Sequence, residues 1–272
     1  MSDHRPRGKR PPARAARPPM RLMTTTLWEY PSQHYDAASG AMQGDKEYVG
    51  ATPSWVIWQV LSRYTREGDT VLDPMCGSGT TLDVAADLNR TALGFDLASW
   101  ERRDDIVQAD ARELPVPDAS VDLVFIDPPY STHVDYSDDS ACIGKLDALS
   151  DDAGRAYYKA MREVIHECHR VLKDRRYMAL YVSDSFKKKK GMDAAGRFAP
   201  IGFELFSIMR ERFVPVDIIA VVRHNQKLGR GNWHKAAEEG NFFLRGFNYL
   251  FIMKKESRVG AATNTRKPAR PR

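Results

Sequence analysis

The residues best suited to chemistry in this chain stand together at Asp127-Pro128-Pro129-Tyr130. They follow an apolar run, Val121 to Ile126, which reads as a buried central strand, so the four should emerge at its carboxyl end. The Asp127 carboxylate and the Pro128 carbonyl are both hydrogen-bond acceptors. The two prolines, Pro128 and Pro129, fix the backbone and bring no N–H donors that would compete. Paired acceptors suit an amino group whose lone pair is delocalised into a ring. They draw its hydrogens, favour a pyramidal nitrogen and stabilise the positive charge that develops as it attacks. Tyr130 adds a face on which a flat ring can stack.

A second chemical segment precedes it: Asp73-Pro74-Met75-Cys76-Gly77-Ser78-Gly79-Thr80-Thr81. A strand ends in an acid, turns at two glycines and enters a helix, the place where open α/β sheets bind ligands. Gly77 and Gly79 permit the sharp turn and a close ligand approach. No lysine precedes the final Ser/Thr, which excludes a P-loop. Leu82 stands where the third glycine of a dinucleotide fingerprint would be. An adenosyl group without phosphates remains, and its ribose hydroxyls and ammonium call for carboxylates. Asp73, Asp96 and Asp110 each close a strand-like run in series. Any one could be an ordinary turn acid; three in order point to a nucleoside site. Asp96 is placed for ribose hydroxyls and Asp110 for an adenine amino group.

On these residues the chain resembles the amino-methyltransferases of DNA, the adenine-N6 and cytosine-N4 enzymes. Asp73 to Thr81 is similar to their D-P-F-x-G-S-G-T-T cofactor motif, with Met75 in place of Phe, and Asp127 to Tyr130 to their [DNS]-P-P-[YFW] catalytic motif. Thr52-Pro53-Ser54-Trp55, followed by Gly68 to Leu72, resembles the segment that closes over the methionine moiety. The resemblance covers roughly residues 45–255. It implies a Rossmann-like α/β fold with a seven-stranded sheet and helices on both faces, S-adenosyl-L-methionine as cofactor, and methylation of an exocyclic amino nitrogen in DNA. The acid at 127 favours adenine over cytosine. No separate target-recognition domain is evident between the motifs. Enzymes acting on the guanine-N2 amine of RNA or on protein glutamine amides use a similar Pro-Pro-Tyr turn, and a non-catalytic nucleic-acid-binding protein of this fold is a third alternative. No Pro-Cys nucleophile follows a strand, which argues against cytosine-C5 chemistry.

The elements that must hold these motifs alternate along the chain. A helix is expected after Thr52-Pro53-Ser54, and strands at 70–73, 92–96, 106–109 and 121–127. A long helix should cover 154–172, with Tyr158, Met161, Val164, Ile165, Cys168 and Val171 on its apolar face. Later strands are expected at 178–182, 216–222 and 249–253, the last two as an antiparallel pair at the sheet edge joined by a basic loop. In the acidic segment Ser131 to Asp152, His133 and Tyr136 lie close enough in sequence to reach a base.

Length and charge set the frame. A chain of 272 residues with 42% hydrophobic content can build one core, residues 23–255 by composition. Residues 1–22 and 254–272 each hold seven basic residues and one acid. The net +5 therefore belongs to the ends and leaves the body near −7. Such Pro/Arg-rich ends, 1–22 and 256–272, are expected to be disordered and could sit along a phosphate backbone. Further phosphate or base contact is assigned to Lys187, Lys188, Arg223, Lys227, Arg230, Trp233 and Lys235, from their mix of cations with an aromatic residue. DNA is preferred to RNA as the partner. Cys76, Cys142 and Cys168 form no C-x-x-C pair, so neither a metal nor a disulfide framework is expected. No stretch suits a membrane span, and a cytoplasmic location is the simplest expectation.

Overall fold

The computed structural model describes residues 17–98, 102–132, 134, 137–187, 197–224 and 231–256. Ten strands and five helices follow in order: β1 (Leu27–Trp28), α1 (Ser54–Tyr64), β2 (Thr70–Asp73), α2 (Thr80–Asp87), β3 (Thr91–Asp96), β4 (Ile106–Gln108), β5 (Val121–Ile126), α3 (Arg155–Val171), β6 (Leu172–Val182), β7 (Ser185–Lys187), β8 (Arg197–Ala199), α4 (Ile201–Met209), β9 (Val214–Val222), α5 (Gly231–Glu239) and β10 (Phe247–Lys254). Eight strands form one sheet in the order β1-β9-β10-β6-β5-β2-β3-β4. Strands β4, β3, β2, β5 and β6 are mutually parallel, while β10 runs antiparallel between β6 and β9. The fold is therefore mixed α/β with a largely parallel sheet, of eight strands where seven were expected. The extra member is β1. It has only two residues, too short to read from a pattern, and it pairs with Ala220 and Val221 beyond β9. The antiparallel β9–β10 pair thus lies one strand in from the edge.

Two apolar layers cover the sheet. On one face α1 buries Trp55, Val56, Ile57, Val60 and Leu61 against Leu123, Phe125, Leu250 and Ile252. On the other, α3 buries Tyr157, Met161, Val164, Ile165, Cys168 and Val171 against Val124, Ile126, Met178 and Leu180. Each fully buried aliphatic side chain of this kind contributes roughly 1.5–3 kcal/mol. Tyr157 takes the fully buried place expected of Tyr158, which is half-buried. Strand β5 is buried at every residue, as an inner parallel strand must be. Its start is fixed by Asp122, which accepts from the Thr70 N–H at 3.0 Å and pairs with Lys173 at 2.9 Å and Arg176 at 2.8 Å. These contacts align β2, β5 and β6, so their carboxyl ends form one rim.

Composition places the boundary of the folded body a few residues late. Met20 packs on the α1 layer, the Pro18 carbonyl accepts from Tyr30 at 2.8 Å, and the Arg21 carbonyl accepts from Gln59 at 2.6 Å. The rest of the basic ends, residues 1–16 and 257–272, lies outside the described residues, as do His133, Tyr136, Lys188, Lys227 and Arg230. Among the described residues no helix is long and apolar enough to cross a membrane. Lys187 ends β7 in a hairpin with β8, where a basic loop was expected. Trp233 and Lys235 lie on α5, within the segment read as an irregular connection.

Candidate active site

The chain leaves β2 for β3 and β4 on one side, then returns to β5 and β6 on the other. The crevice between the β2 and β5 ends is the switch point of the sheet. Gly77 and Gly79 make the turn after β2 with φ of 51° and 82°, values that favour glycine. A Cβ on Gly77 would lie 2.6 Å from the Tyr48 ring, so that ring is seated directly over the turn. The Gly77 N–H donates to Asp96 at 2.9 Å and the Ala98 N–H donates at 3.1 Å, which fixes the Asp96 carboxylate at the end of β3. Burial raises its pKa.

A cavity of about 130 Å³ opens here, lined by Tyr48, Pro74, Met75, Gly77, Asp96, Leu97, Asp110, Ala111, Cys142, Ile143, Asp127 and Pro129, among others. Two carboxylates set among apolar walls suit a ribose and a flat base, and the chemistry of this donor set fits S-adenosylmethionine. Asp110 takes part as an ion pair: Arg112 contacts both its oxygens, at 2.5 and 2.9 Å, and holds its carboxyl below the usual range. Four of the cofactor residues expected from the sequence line the cavity: Pro74, Gly77, Asp96 and Asp110. Asp73, Cys76, Ser78, Thr80 and Thr81 are buried behind it. Asp73 accepts from the Thr81 hydroxyl at 2.5 Å and the Met75 N–H at 3.1 Å, so it shapes the turn from within. Burial pushes its pKa up to about 7, against those two bonds.

Beyond Asp127 lies a cleft of about 1180 Å³, walled by Tyr30, His34, Pro53, Tyr130, Tyr181, Asp184, Phe186, Arg223, Trp233, Phe242, Arg245 and Asn248, among others. Asp127 lines both spaces. One of its oxygens accepts from the Thr52 hydroxyl at 2.5 Å and the other from Tyr130 at 2.6 Å. Burial pushes its pKa up to about 7, while those two hydroxyls and the charge of Arg223 pull the other way. The Pro129 carbonyl is taken by the Tyr157 hydroxyl at 2.7 Å and the Ser131 N–H at 3.0 Å. Among the described residues no hydrogen bond engages the Pro128 carbonyl.

Of Thr52 and Pro53, assigned to the cofactor from sequence, Thr52 bonds the Asp127 carboxylate and Pro53 lines the cleft. Arg223 and Trp233 also line the cleft, and Arg223 donates to Ser183 at 3.1 Å. Lys235 pairs with Glu239 along α5 at 3.7 Å and does not line it. Sequence reading missed Tyr48, Leu97, Ala111, Cys142, Ile143, Tyr181 and Asn248. The apolar triplet Ala141-Cys142-Ile143, inside an otherwise acidic stretch, was the one signal available for any of them.

A family model described as DNA methylase matches residues 9–106 and 121–268. The type II methyltransferase M.HpaI of Haemophilus parainfluenzae is 32% identical over 73 residues, 27% of this chain and 22% of that protein. The type II methyltransferase M.BamHI of Bacillus amyloliquefaciens is 46% identical over 43 residues, 16% of this chain and 10% of that protein. The matched segments thus span less than a quarter of either relative. Among solved structures, TrmN from Thermus thermophilus superimposes with a TM-score of 0.48 at 17% identity, covering 76% of this chain and 50% of that one. A putative DNA modification methylase, also from Thermus thermophilus and complexed with S-adenosyl-L-methionine, gives 0.40 at 19% identity, over 57% and 55%.

Proposed function

The chain belongs to the DNA methylase family of the N6/N4 type, and from that premise we propose that it transfers a methyl group to the exocyclic amine of a base in DNA, adenine N6 in preference to cytosine N4. One observation carries the reading: Asp127 forms part of the wall of both the small cavity beside Asp96 and the large open cleft. A donor held in the first and a base held in the second would meet at that carboxylate. S-adenosylmethionine, when bound, supplies an electrophilic methyl on a sulfonium. Asp96 and Asp110 would hold its ribose and adenine against Leu97, Ala111 and Ile143, and Tyr48 would close over the Gly77 turn.

The remaining work falls to the chain. Asp127 and the Pro128 carbonyl accept the two amine hydrogens, which turns the nitrogen lone pair towards the methyl and stabilises charge as the bond forms; the pair of the broken carbon–sulfur bond would stay on sulfur, and the surplus amine proton would leave along the Asp127 hydrogen bond to solvent in the cleft. Holding both reactants in line removes much of the entropic cost of their encounter. The cleft is wide enough for an extruded base, and Tyr130 and Tyr181 offer aromatic faces there. The preference for adenine rests on the acid at 127.

Incubation with methyl-labelled S-adenosylmethionine and, in parallel, unmethylated duplex DNA, bulk tRNA and a protein extract tests the reading. Label should enter DNA and be recovered as N6-methyladenine after digestion. Label recovered as N4-methylcytosine would overturn the base preference, and label in tRNA or protein alone would overturn the reading itself.

A further inference from the structure

Four buried side-chain polar atoms among the described residues have no hydrogen-bond partner: His34 Nδ1, Ser62 Oγ, Arg245 Nε and Asn248 Oδ1. Three of the four residues line the cleft beyond Asp127. Buried polar groups are ordinarily paired, and an unpaired one in the wall of a cavity calls for a partner that the cavity can admit. Asn248 is the most enclosed of the three, 5% exposed. It sits at the start of β10, opposite Val221 of β9. Tyr181 is its neighbour on the β6 side: the Asn248 amide acts on the Tyr181 hydroxyl, which also feels the charge of Asp127. Nothing in the family motifs includes this residue, and its strand lies well away from them in sequence.

We propose that Asn248 reads the target base through the ring atom next to the amine that is methylated. This rests on the amino-methylation reading above. In adenine and in cytosine the ring nitrogen beside the amine, N1 or N3, is unprotonated and accepts a hydrogen bond. A base whose amine is held by Asp127 and Pro128 therefore needs a donor one position further round its edge. The Asn248 carboxamide can supply it. In the structure the amide N–H is turned to the Tyr181 hydroxyl and the oxygen is left unpaired; half a turn about the terminal bond exchanges the two, and the Tyr181 hydroxyl, which accepts from the one, donates to the other. With the N–H towards the base and the oxygen towards Tyr181, every polar atom of the group is engaged. Guanine presents a protonated N1 on one side of its amine, where it meets a donor with a donor; its one acceptor beside the amine, N3, lies on the sugar side. An enclosed polar contact of this kind discriminates strongly, because the wrong partner leaves buried groups unpaired. Asn248 is thus a specificity-determining residue that accepts the adenine N1 or cytosine N3 edge and disfavours the N1 edge of guanine.

The test pairs a protein change with a base change, on the full chain and on a duplex whose methylated position has first been mapped with the wild-type protein. Asn248→Ala should lower kcat/KM for the DNA about tenfold or more, while affinity for S-adenosylmethionine stays within about twofold. Asn248→Asp, which offers an acceptor only, should fall further. Wild-type protein given 1-deazaadenine at the target (3-deazacytosine if cytosine is methylated) should lose about as much as Asn248→Ala loses on the normal base. Asn248→Ala should then lose almost nothing more on the deaza base, because the two changes remove one bond. A 7-deazaadenine control should react nearly normally. Full activity of both variants, additive losses, or wild-type indifference to the deaza base would overturn the proposal. So would loss of cofactor affinity in both variants together with wild-type indifference to the deaza base. Wild-type protein that labels no DNA base would instead remove the amino-methylation reading, and this inference with it.

Discussion

The Thr52 hydroxyl lies 2.5 Å from Asp127 Oδ2, joining the loop ahead of α1 to the end of β5 across 75 residues of sequence. That bond and its counterpart from Tyr130 hold both carboxylate oxygens in a fixed plane, with the Pro128 carbonyl beside them. Preorganised acceptors of this kind stabilise charge at the moment it forms, without reorganising.

Thr52→Val keeps the shape of the side chain and removes the donor. The hydroxyl favours the ionised carboxylate, so its loss raises a pKa already pushed up to about 7. The acidic limb of the pH–rate profile should rise through about 7 in the wild type and at higher pH in Thr52→Val. Activity should be depressed about tenfold at neutral pH and largely recovered in alkali. Pre-steady-state transfer across pH 6–9 checks this, and a profile unmoved by the substitution would show that the bond does not tune Asp127.

Asp73 and Asp127 both carry carboxyls that burial has raised to about 7. In the unfolded chain each ionises near the ordinary aspartate value, about 4. Both are protonated in either state below that value, so their contribution to stability is whole there. It is lost as pH rises through the folded-state values. Stability without ligand should therefore decline from about pH 4 to about pH 7 on account of these groups, then level. Asp127→Asn removes one of them. That variant should be more stable than wild type at pH 8 by at least about 1 kcal/mol, with the gain shrinking towards pH 4. Denaturant titrations at the two pH values decide it. A variant less stable at pH 8 would mean that the carboxylate is better accommodated than its burial implies.

Asp96 is held by the Gly77 and Ala98 amides and lines the small cavity, not the acceptor cleft. A contact to the ribose is made equally in the ground and transition states. Asp96→Ala should therefore raise the KM for S-adenosylmethionine about 10- to 100-fold and leave kcat within a few-fold. Steady-state kinetics at saturating DNA separate the two constants. A fall in kcat at unchanged KM would place Asp96 in the chemical step.

Gly77→Ala meets two obstacles: a φ of 51° and the Tyr48 ring 2.6 Å from the new Cβ. The backbone strain alone should cost about 1–2 kcal/mol, and the displaced ring should weaken cofactor binding. Adding Tyr48→Ala should restore part of the cofactor affinity and none of the backbone strain. Calorimetric titration of the single and double variants, beside their melting temperatures, tests both halves.

The features legible in the sequence were those that a short segment fixes by itself. The Gly77–Gly79 turn and the Asp127–Tyr130 tetrapeptide each carry their geometry in consecutive residues, and the apolar strands before them dictate which rim they share. The 3.6-residue spacing of α3 was equally plain, although it pointed to Tyr158 where the structure buries Tyr157, whose hydroxyl donates to the Pro129 carbonyl. Asn248 and Tyr181 were invisible for the opposite reason. They reach the cleft because β10 runs back antiparallel beside β6, a long-range pairing with no local signature. Lys187 and Trp233 were read as loop residues because a three-residue strand and a nine-residue helix rich in polar residues leave almost no periodicity.

If two reactants meet at the Asp127 carboxylate, a paired measurement on Asp127→Ala addresses it directly. Affinity for S-adenosylmethionine and single-turnover transfer of its labelled methyl to DNA would be measured on the same preparation, beside the wild type. Affinity should stay within about threefold while transfer falls by about a thousandfold or more, since the loss is of charge stabilisation alone. Transfer surviving within about tenfold, or disappearing together with cofactor binding, would contradict the role given to Asp127.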